Sequence, residues 1–207
     1  MMRDWRGLYA ITDSRFKGDD IAQQVLKAIR GGARIIQYRD KSDNATLQLK
    51  EATAIAEVCK TNDVIFIVND DIELAKAVNA DGVHLGHTDA SFKKARELLG
   101  ADAAIGVSCY ADIDRAKAAQ LSGASYVAFG RFFNSSTKPN APAVSLDVLA
   151  EAKKQLNVPV VAIGGITQDN GAPLIKSGAD MLAVVNGVFG APDITLAAQS
   201  ICNLFDA

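Results

Sequence analysis

Polar and charged residues gather at a few points of the chain, and their types are those that hold phosphate groups. Gln37-Tyr38-Arg39-Asp40-Lys41 places two cations within five residues. In an extended segment, alternation puts Gln37, Arg39 and Lys41 on one side. A guanidinium grips phosphate or pyrophosphate through two parallel bonds, and an ammonium adds a point charge. The competing reading is a solvated loop with a surface ion pair to Asp40. Asn69-Asp70-Asp71 and Asp89 supply carboxylates. Mg²⁺ prefers few carboxylates together with water and phosphate oxygens. An aspartate ahead of a helix also caps it. Asp70 or Asp71 before a helix at Ile72, and Asp89 before one at Ser91, therefore stand between metal and cap.

Further along, Gly130-Arg131-Phe132-Phe133-Asn134-Ser135-Ser136-Thr137-Lys138 sets hydroxyls and a lysine after two aromatics, a composition suited to a phosphate on a flat ring. Gly164-Gly165-Ile166-Thr167 and Asn186-Gly187 let backbone N–H groups approach an anion. His84 and His87 resemble a zinc pair only in spacing, and no third ligand accompanies them. The spacing shows no Ser-His-Asp or Cys-His arrangement. That points to displacement of a good leaving group instead of covalent catalysis by the protein.

These residues need a scaffold that brings them to one place. Eight short apolar runs begin at Gly7, Arg34, Val64, Gly82, Ala104, Tyr126, Val160 and Leu182. Their near-continuous apolarity suits parallel strands covered on both faces. Helical patterns fill the gaps: Ile21–Ile29, Thr46–Lys60, Asp71–Val78, Ser91–Leu99, Asp112–Leu121, Leu146–Leu156, Asp169–Lys176 and Thr195–Leu204. Small residues recur just before strands, as in Gly32-Ala33, Asn79-Ala80-Asp81, Gly123-Ala124-Ser125 and Gly178-Ala179-Asp180. Eightfold alternation predicts an α/β protein, a single (β/α)₈ barrel of the TIM type over residues 1–207. An open doubly wound sheet would more often carry a glycine-rich dinucleotide loop after its first strand, and Ile11-Thr12-Asp13-Ser14 is not one. In a barrel, the polar clusters above all fall at the carboxyl ends of strands and share one pocket. The long segment 134–144 follows the sixth strand on that face and is expected to act as a lid.

The chain has 207 residues, 49% hydrophobic and 22% charged, which is enough apolar material for one large core. A net charge of -2 gives no long-range attraction to nucleic acid or an anionic membrane. No apolar stretch reaches the roughly 18–20 residues of a spanning helix, and the start of the chain has no signal-peptide pattern. Cys59, Cys109 and Cys202 fit neither a disulfide framework nor a metal knuckle. Reduced thiols in a cytoplasmic protein are expected.

Taken in order, these residues resemble the thiamine phosphate synthase family. The resemblance runs through Tyr9-Ala10-Ile11-Thr12, Ile36-Gln37-Tyr38-Arg39-Asp40-Lys41, Val68-Asn69-Asp70 and Ala80-Asp81-Gly82-Val83-His84-Leu85-Gly86. It continues through Asp89, Ile105-Gly106-Val107-Ser108, Thr137-Lys138, Val161-Ala162-Ile163-Gly164-Gly165-Ile166 and Gly178-Ala179-Asp180 to Val184-Val185. The family implies condensation of an aminopyrimidine-methyl pyrophosphate with a thiazole phosphate, giving thiamine phosphate and pyrophosphate. By that resemblance Gln37, Arg39, Lys41, Asn69 and Lys138 hold the pyrimidine pyrophosphate, and Asp70 and Asp89 hold Mg²⁺. Ser108 contacts the pyrimidine or the leaving group. Ser135, Thr137, Gly165, Val185 and Asn186 cradle the thiazole phosphate. The implied partners are these two small molecules, with homo-oligomer formation left open.

The chain departs from the family pattern at His87 (commonly Gln), at Cys109-Tyr110 (often ending in His), at Arg131 (commonly Pro) and at Asn186 (commonly Ser). Two other readings accompany the resemblance. A thiazole tautomerase is a close relative that relies on a His where Tyr110 stands here. A non-catalytic binder of thiamine intermediates need not retain a metal site.

Overall fold

Alternation along each strand sorts the apolar side chains into two cores. Leu8, Ala10, Ile36, Tyr38, Phe66, Val68, Val83 and Leu85 face outward into a large cluster shared with the helices. Tyr9, Ile11, Ile35, Ile67, Tyr126, Ala128, Val161, Met181 and Ala183 point inward and fill the centre. Burying both faces removes apolar surface from water twice over, which is why the strands read as continuous apolar runs.

The computed structural model describes residues 5–13, 15, 19–86, 89–134 and 144–206. Its strands are β1 (Gly7–Ile11), β2 (Ile35–Tyr38), β3 (Ile65–Asn69), β4 (Gly82–Leu85), β5 (Ala104–Tyr110), β6 (Tyr126–Phe129), β7 (Val160–Ile163) and β8 (Met181–Val184). They pair in parallel in chain order, and β1 closes on β8 through Gly7 opposite Met181. The outer ring is α1 (Asp19–Arg30), α2 (Ala45–Thr61), α3 (Ile72–Ala77), α4 (Asp89–Leu99), α5 (Ile113–Leu121), α6 (Asp147–Gln155), α7 (Ala172–Lys176), α8 (Asn186–Phe189) and α9 (Ile194–Cys202), ending in a 3₁₀ turn at Asn203–Phe205. This is the (β/α)₈ barrel expected from the alternation. Among the described residues no helix is long and apolar enough to cross a membrane.

The small-residue echo before alternate strands has a defined task. Gly32, Asn79, Gly123 and Gly178 adopt left-handed φ values of 100°, 52°, 89° and 112° and turn each helix into the next strand. Polar side chains that follow then tie neighbouring strand starts together. Asp81 accepts from the Phe66 N–H at 2.8 Å, Ser125 from Ile105 at 3.1 Å and Asp180 from Val160 at 2.8 Å.

Three departures from the expected boundaries bear on the site. Strand β5 runs on to Tyr110, with an irregularity between Ser108 and Tyr110 and Tyr110 at φ 58°. Helix α7 begins at Ala172, not Asp169, because Asn170 turns its side chain back onto the Thr167 N–H (2.8 Å) and the Gly165 carbonyl (3.0 Å). Helix α8 is four residues long, too short to leave a periodic pattern in the sequence. Gly106 in β5 is fixed by packing: an added Cβ would lie 2.0 Å from Cζ of Tyr126, so the ring of Tyr126 occupies the space a side chain would need.

Candidate active site

The carboxyl ends of the strands open into a cavity of about 340 Å³. Gln37, Arg39, Asn69 and Ser108 line one side, and Gly165, Val185 and Asn186 line the other. Seven of the residues singled out in the sequence therefore converge, from β2, β3, β5, β7 and β8.

Arg39 is held by its backbone. Its N–H donates to Oγ1 of buried Thr12 at 2.9 Å, while the Thr12 N–H bonds the Gln37 carbonyl. The loop after β1 thus clamps the end of β2, a task for Thr12 that spacing alone does not reveal.

Lys41 and Asp70 stand at the rim and not among the cavity-lining side chains. The Lys41 Nζ lies 2.6 Å from Asp70 Oδ2, and the Asn69 amide donates to the same oxygen at 2.8 Å. Burial works to raise the Asp70 carboxyl, but the Lys41 hydrogen bond and charge, with Asn69, outweigh it and hold the group below the usual carboxylate value. The choice between metal and cap divides cleanly between neighbours. Asp71 caps α3, accepting from the Leu74 N–H at 2.9 Å. Asp70 adopts a left-handed φ of 61° and turns its carboxylate elsewhere. Its Oδ1 lies 3.7 Å from where a Cβ on Gly86 would stand, so it faces the loop from β4 that leads to Asp89. Asp89 opens α4; its side chain lies outside the described residues, as do Ser135, Thr137 and Lys138, His87 and segment 135–143. Among the described residues no three His, Cys, Asp or Glu side chains converge on a metal-sized centre.

The opposite subsite is built from backbone and amide groups. Gly165 has φ 64°, and a Cβ there would meet the Asn134 carbonyl oxygen at 2.2 Å, so a side chain is excluded. Asn186 Oδ1 accepts from Arg15 at 2.6 Å, and Arg15 also bonds Asp13 at 2.7 Å. Burial works to raise Asp13, but Arg15, with the charge of Arg39, holds it below the ordinary value. Sequence spacing did not place Arg15 here, since the partner residues are 171 positions apart. Arg131 lines the cavity and donates to Asn134 Oδ1 at 2.9 Å.

The floor carries a chain of polar groups that the sequence did not announce. Gln37 Nε2 donates to the Tyr9 hydroxyl at 2.7 Å, Tyr9 Oη lies 2.7 Å from Tyr126 Oη, Tyr126 Oη 3.2 Å from His84 Nδ1, and His84 Nε2 2.9 Å from Ser108 Oγ. Burial pushes both phenols well above their ordinary value, so they stay neutral. A Ser–His pair therefore exists after all, but a phenol stands where a triad would place a carboxylate.

A site with two polar poles in one barrel mouth agrees with what the chain is similar to. The thiamine monophosphate synthase family model matches residues 8–188. The thiamine-phosphate synthase of Methylococcus capsulatus is 46% identical over 202 residues, covering 98% of this chain and 90% of that protein. The thiamine-phosphate synthase of Nitrosococcus oceani is 50% identical over 196 residues, covering 94% and 90%. The solved thiamine phosphate pyrophosphorylase of Pyrococcus furiosus superposes with a TM-score of 0.88 at 33% identity, over 99% of this chain and 97% of that one. On this fold and this matched sequence, the chain belongs to the thiamine monophosphate synthase family.

Proposed function

We propose that the chain is a transferase that joins an aminopyrimidine-methyl pyrophosphate to a thiazole phosphate, releasing pyrophosphate. The observation that carries this reading is the convergence of a cationic pole (Arg39, with Lys41 at the rim) and a glycine-and-amide pole (Gly165, Val185, Asn186) across one cavity of about 340 Å³. Gln37, Arg39, Lys41, Asn69 and Lys138 hold the pyrimidine pyrophosphate. Ser135, Thr137, Gly165, Val185 and Asn186 hold the thiazole phosphate, and Ser108 meets the pyrimidine from the floor.

The carbon–oxygen bond to pyrophosphate breaks, and its electron pair leaves with the pyrophosphate. The thiazole nitrogen lone pair then forms the new carbon–nitrogen bond. Arg39 and Lys41 are placed to offset charge growing on the leaving group, and no strong base is needed. Asp70, ionised and free of capping duty, fits a hard cation through its carboxylate oxygens. Asp70 and Asp89 are the residues that would hold Mg²⁺, which neutralises pyrophosphate charge when bound. Widely spaced free cysteines, two of them buried, support a cytoplasmic setting.

The test is incubation with both substrates and Mg²⁺, followed by assay of thiamine phosphate and pyrophosphate. Equal release of the two products is expected. Isomerisation of the thiazole phosphate alone, or binding without turnover, would overturn the reading.

A further inference from the structure

Two arginine–asparagine pairs flank the glycine-and-amide pole. Arg131 Nη1 donates to Asn134 Oδ1 at 2.9 Å, and Arg15 Nη2 donates to Asn186 Oδ1 at 2.6 Å. Asn134 and Asn186 both line the cavity, and the Asn134 backbone carbonyl lies against Gly165. Each pair is tied down locally. Phe132 and Phe133 donate their N–H groups to the Ile163 and Gly164 carbonyls at 3.2 and 3.0 Å, which lays segment 131–134 along the end of β7. Asp13 holds Arg15 twice, at its N–H (2.9 Å) and at its guanidinium (2.7 Å). These contacts fix the polarity of the two amides. A guanidinium donates and never accepts, so the amide atom that faces it is the oxygen. Each amide NH₂ then stands at the other end, and neither has a partner among the described residues. Turned the other way, an amide would set N–H against N–H and lose a charge-assisted bond.

We infer that Asn134 is a further binding residue for the phosphate at this pole, meeting it with its amide NH₂ beside that of Asn186, and that Arg131 and Arg15 are positioning residues that keep both amides turned that way. An ionised phosphate monoester offers acceptor oxygens and carries about 1.5 to 2 negative charges at pH 7. An amide NH₂ turned toward it bonds it, whereas an amide oxygen in the same place repels it. The two guanidiniums also set positive charge behind the amides, so the pole favours an anion although Gly165, Val185, Asn134 and Asn186 carry no charge themselves. That the ester is a thiazole phosphate rests on the proposed function. The orientation of the amides does not.

Asn134→Asp separates a binding role from a structural one. Its carboxylate still accepts from Arg131, so the pair survives while the donor becomes a charged acceptor. Calorimetry with methyl phosphate, on protein already saturated with pyrophosphate and Mg²⁺, reads the amide pole alone. The wild-type protein is expected to bind the ester, and Asn134→Asp to bind it at least about tenfold more weakly. Arg131→Gln and Arg15→Gln, which let the amides turn over, should each weaken it by roughly three- to tenfold. Arg131→Lys and Arg15→Lys should restore most of the loss, because an ammonium also donates only. Pyrophosphate affinity should stay within about twofold in every variant, since no contact at that pole is removed. Unchanged methyl phosphate binding in Asn134→Asp overturns the inference. So does a loss in the Gln variants that Lys does not restore, and so does a wild-type protein that takes up no methyl phosphate beside pyrophosphate. If methyl phosphate behaves as expected but the two substrates give no thiamine phosphate, the proposed function fails and the assignment of Asn134 stands.

Discussion

The ammonium of Lys41 meets Asp70 Oδ2 at 2.6 Å, joining the loop after β2 to the end of β3 across the rim of the cavity. Lys41 and Asp70 are both about half exposed there, so the pair adds little to stability on its own. Its interest lies in what it does to Asp70: the carboxylate is kept ionised and turned away from the helix that its neighbour caps.

Asp70 and Asp71 should therefore separate in experiment. Asp70→Ala is expected to remove most activity and the response to added Mg²⁺, while leaving the denaturation midpoint near that of the wild type. Asp71→Ala should cost about 1 kcal/mol of stability through the lost cap and leave the Mg²⁺ dependence intact. Urea melts and Mg²⁺ titrations of the two variants decide it. Full turnover of Asp70→Ala in excess chelator would remove the metal role.

Arg39→Ala should weaken binding of the pyrimidine pyrophosphate by about 1.5–3 kcal/mol, the size of a charge-assisted hydrogen bond, with far less effect on thiazole phosphate. Lys138→Ala should act on the same substrate. Thr12→Val tests the clamp behind Arg39: it leaves a part-buried backbone N–H without its acceptor and should raise KM for the pyrimidine substrate alone. Calorimetry with each substrate separately distinguishes the two poles. Equal losses for both ligands would mean that they do not occupy distinct subsites.

Gly165→Ala places a methyl group where the Asn134 carbonyl oxygen already lies and forces alanine to a φ of 64°. A left-handed non-glycine residue costs roughly 1–2 kcal/mol before any clash. The expected result is a large rise in KM for thiazole phosphate with a smaller change for the pyrimidine substrate. Unaltered thiazole phosphate affinity would take Gly165 out of the phosphate cradle.

Alkaline stability depends on the buried thiols and phenols, all of which burial holds protonated beyond their ordinary range, and the thiols titrate first. Burial raises Cys109 from 9.0 to about 12 and Cys202 from 9.0 to about 11. Below pH 9 both thiols are protonated, folded or unfolded, and contribute no pH dependence. Above it the unfolded chain loses protons that the folded chain keeps, so stability falls as pH rises toward 11 and 12. Denaturation midpoints between pH 8 and 11 should decline in the wild type and decline less in a Cys109→Ala, Cys202→Ala double variant. Parallel curves would show that other groups govern the alkaline limb.

Much of this molecule is written locally. Continuous apolar runs alternating eight times with amphipathic stretches point to a parallel sheet covered on both faces, and the eightfold repeat without a glycine-rich dinucleotide loop after the first strand points to its closed form. Period-two alternation also places Gln37 and Arg39 toward the mouth, and glycine pairs after β7 mark close backbone approach. What the sequence by itself does not determine is any relation that depends on closure. Nothing near Asp70 or Asp71 says which one caps; the left-handed turn at Asp70 decides that. Arg15 finds Asn186, and Tyr9 finds Tyr126 at 117 positions' remove, only because β1 closes on β8 and the barrel interior is narrow enough for side chains from opposite strands to meet. Inward residues read as core or as chemistry according to what stands across the barrel from them, and that distance is set by the closed sheet, not by spacing along the chain.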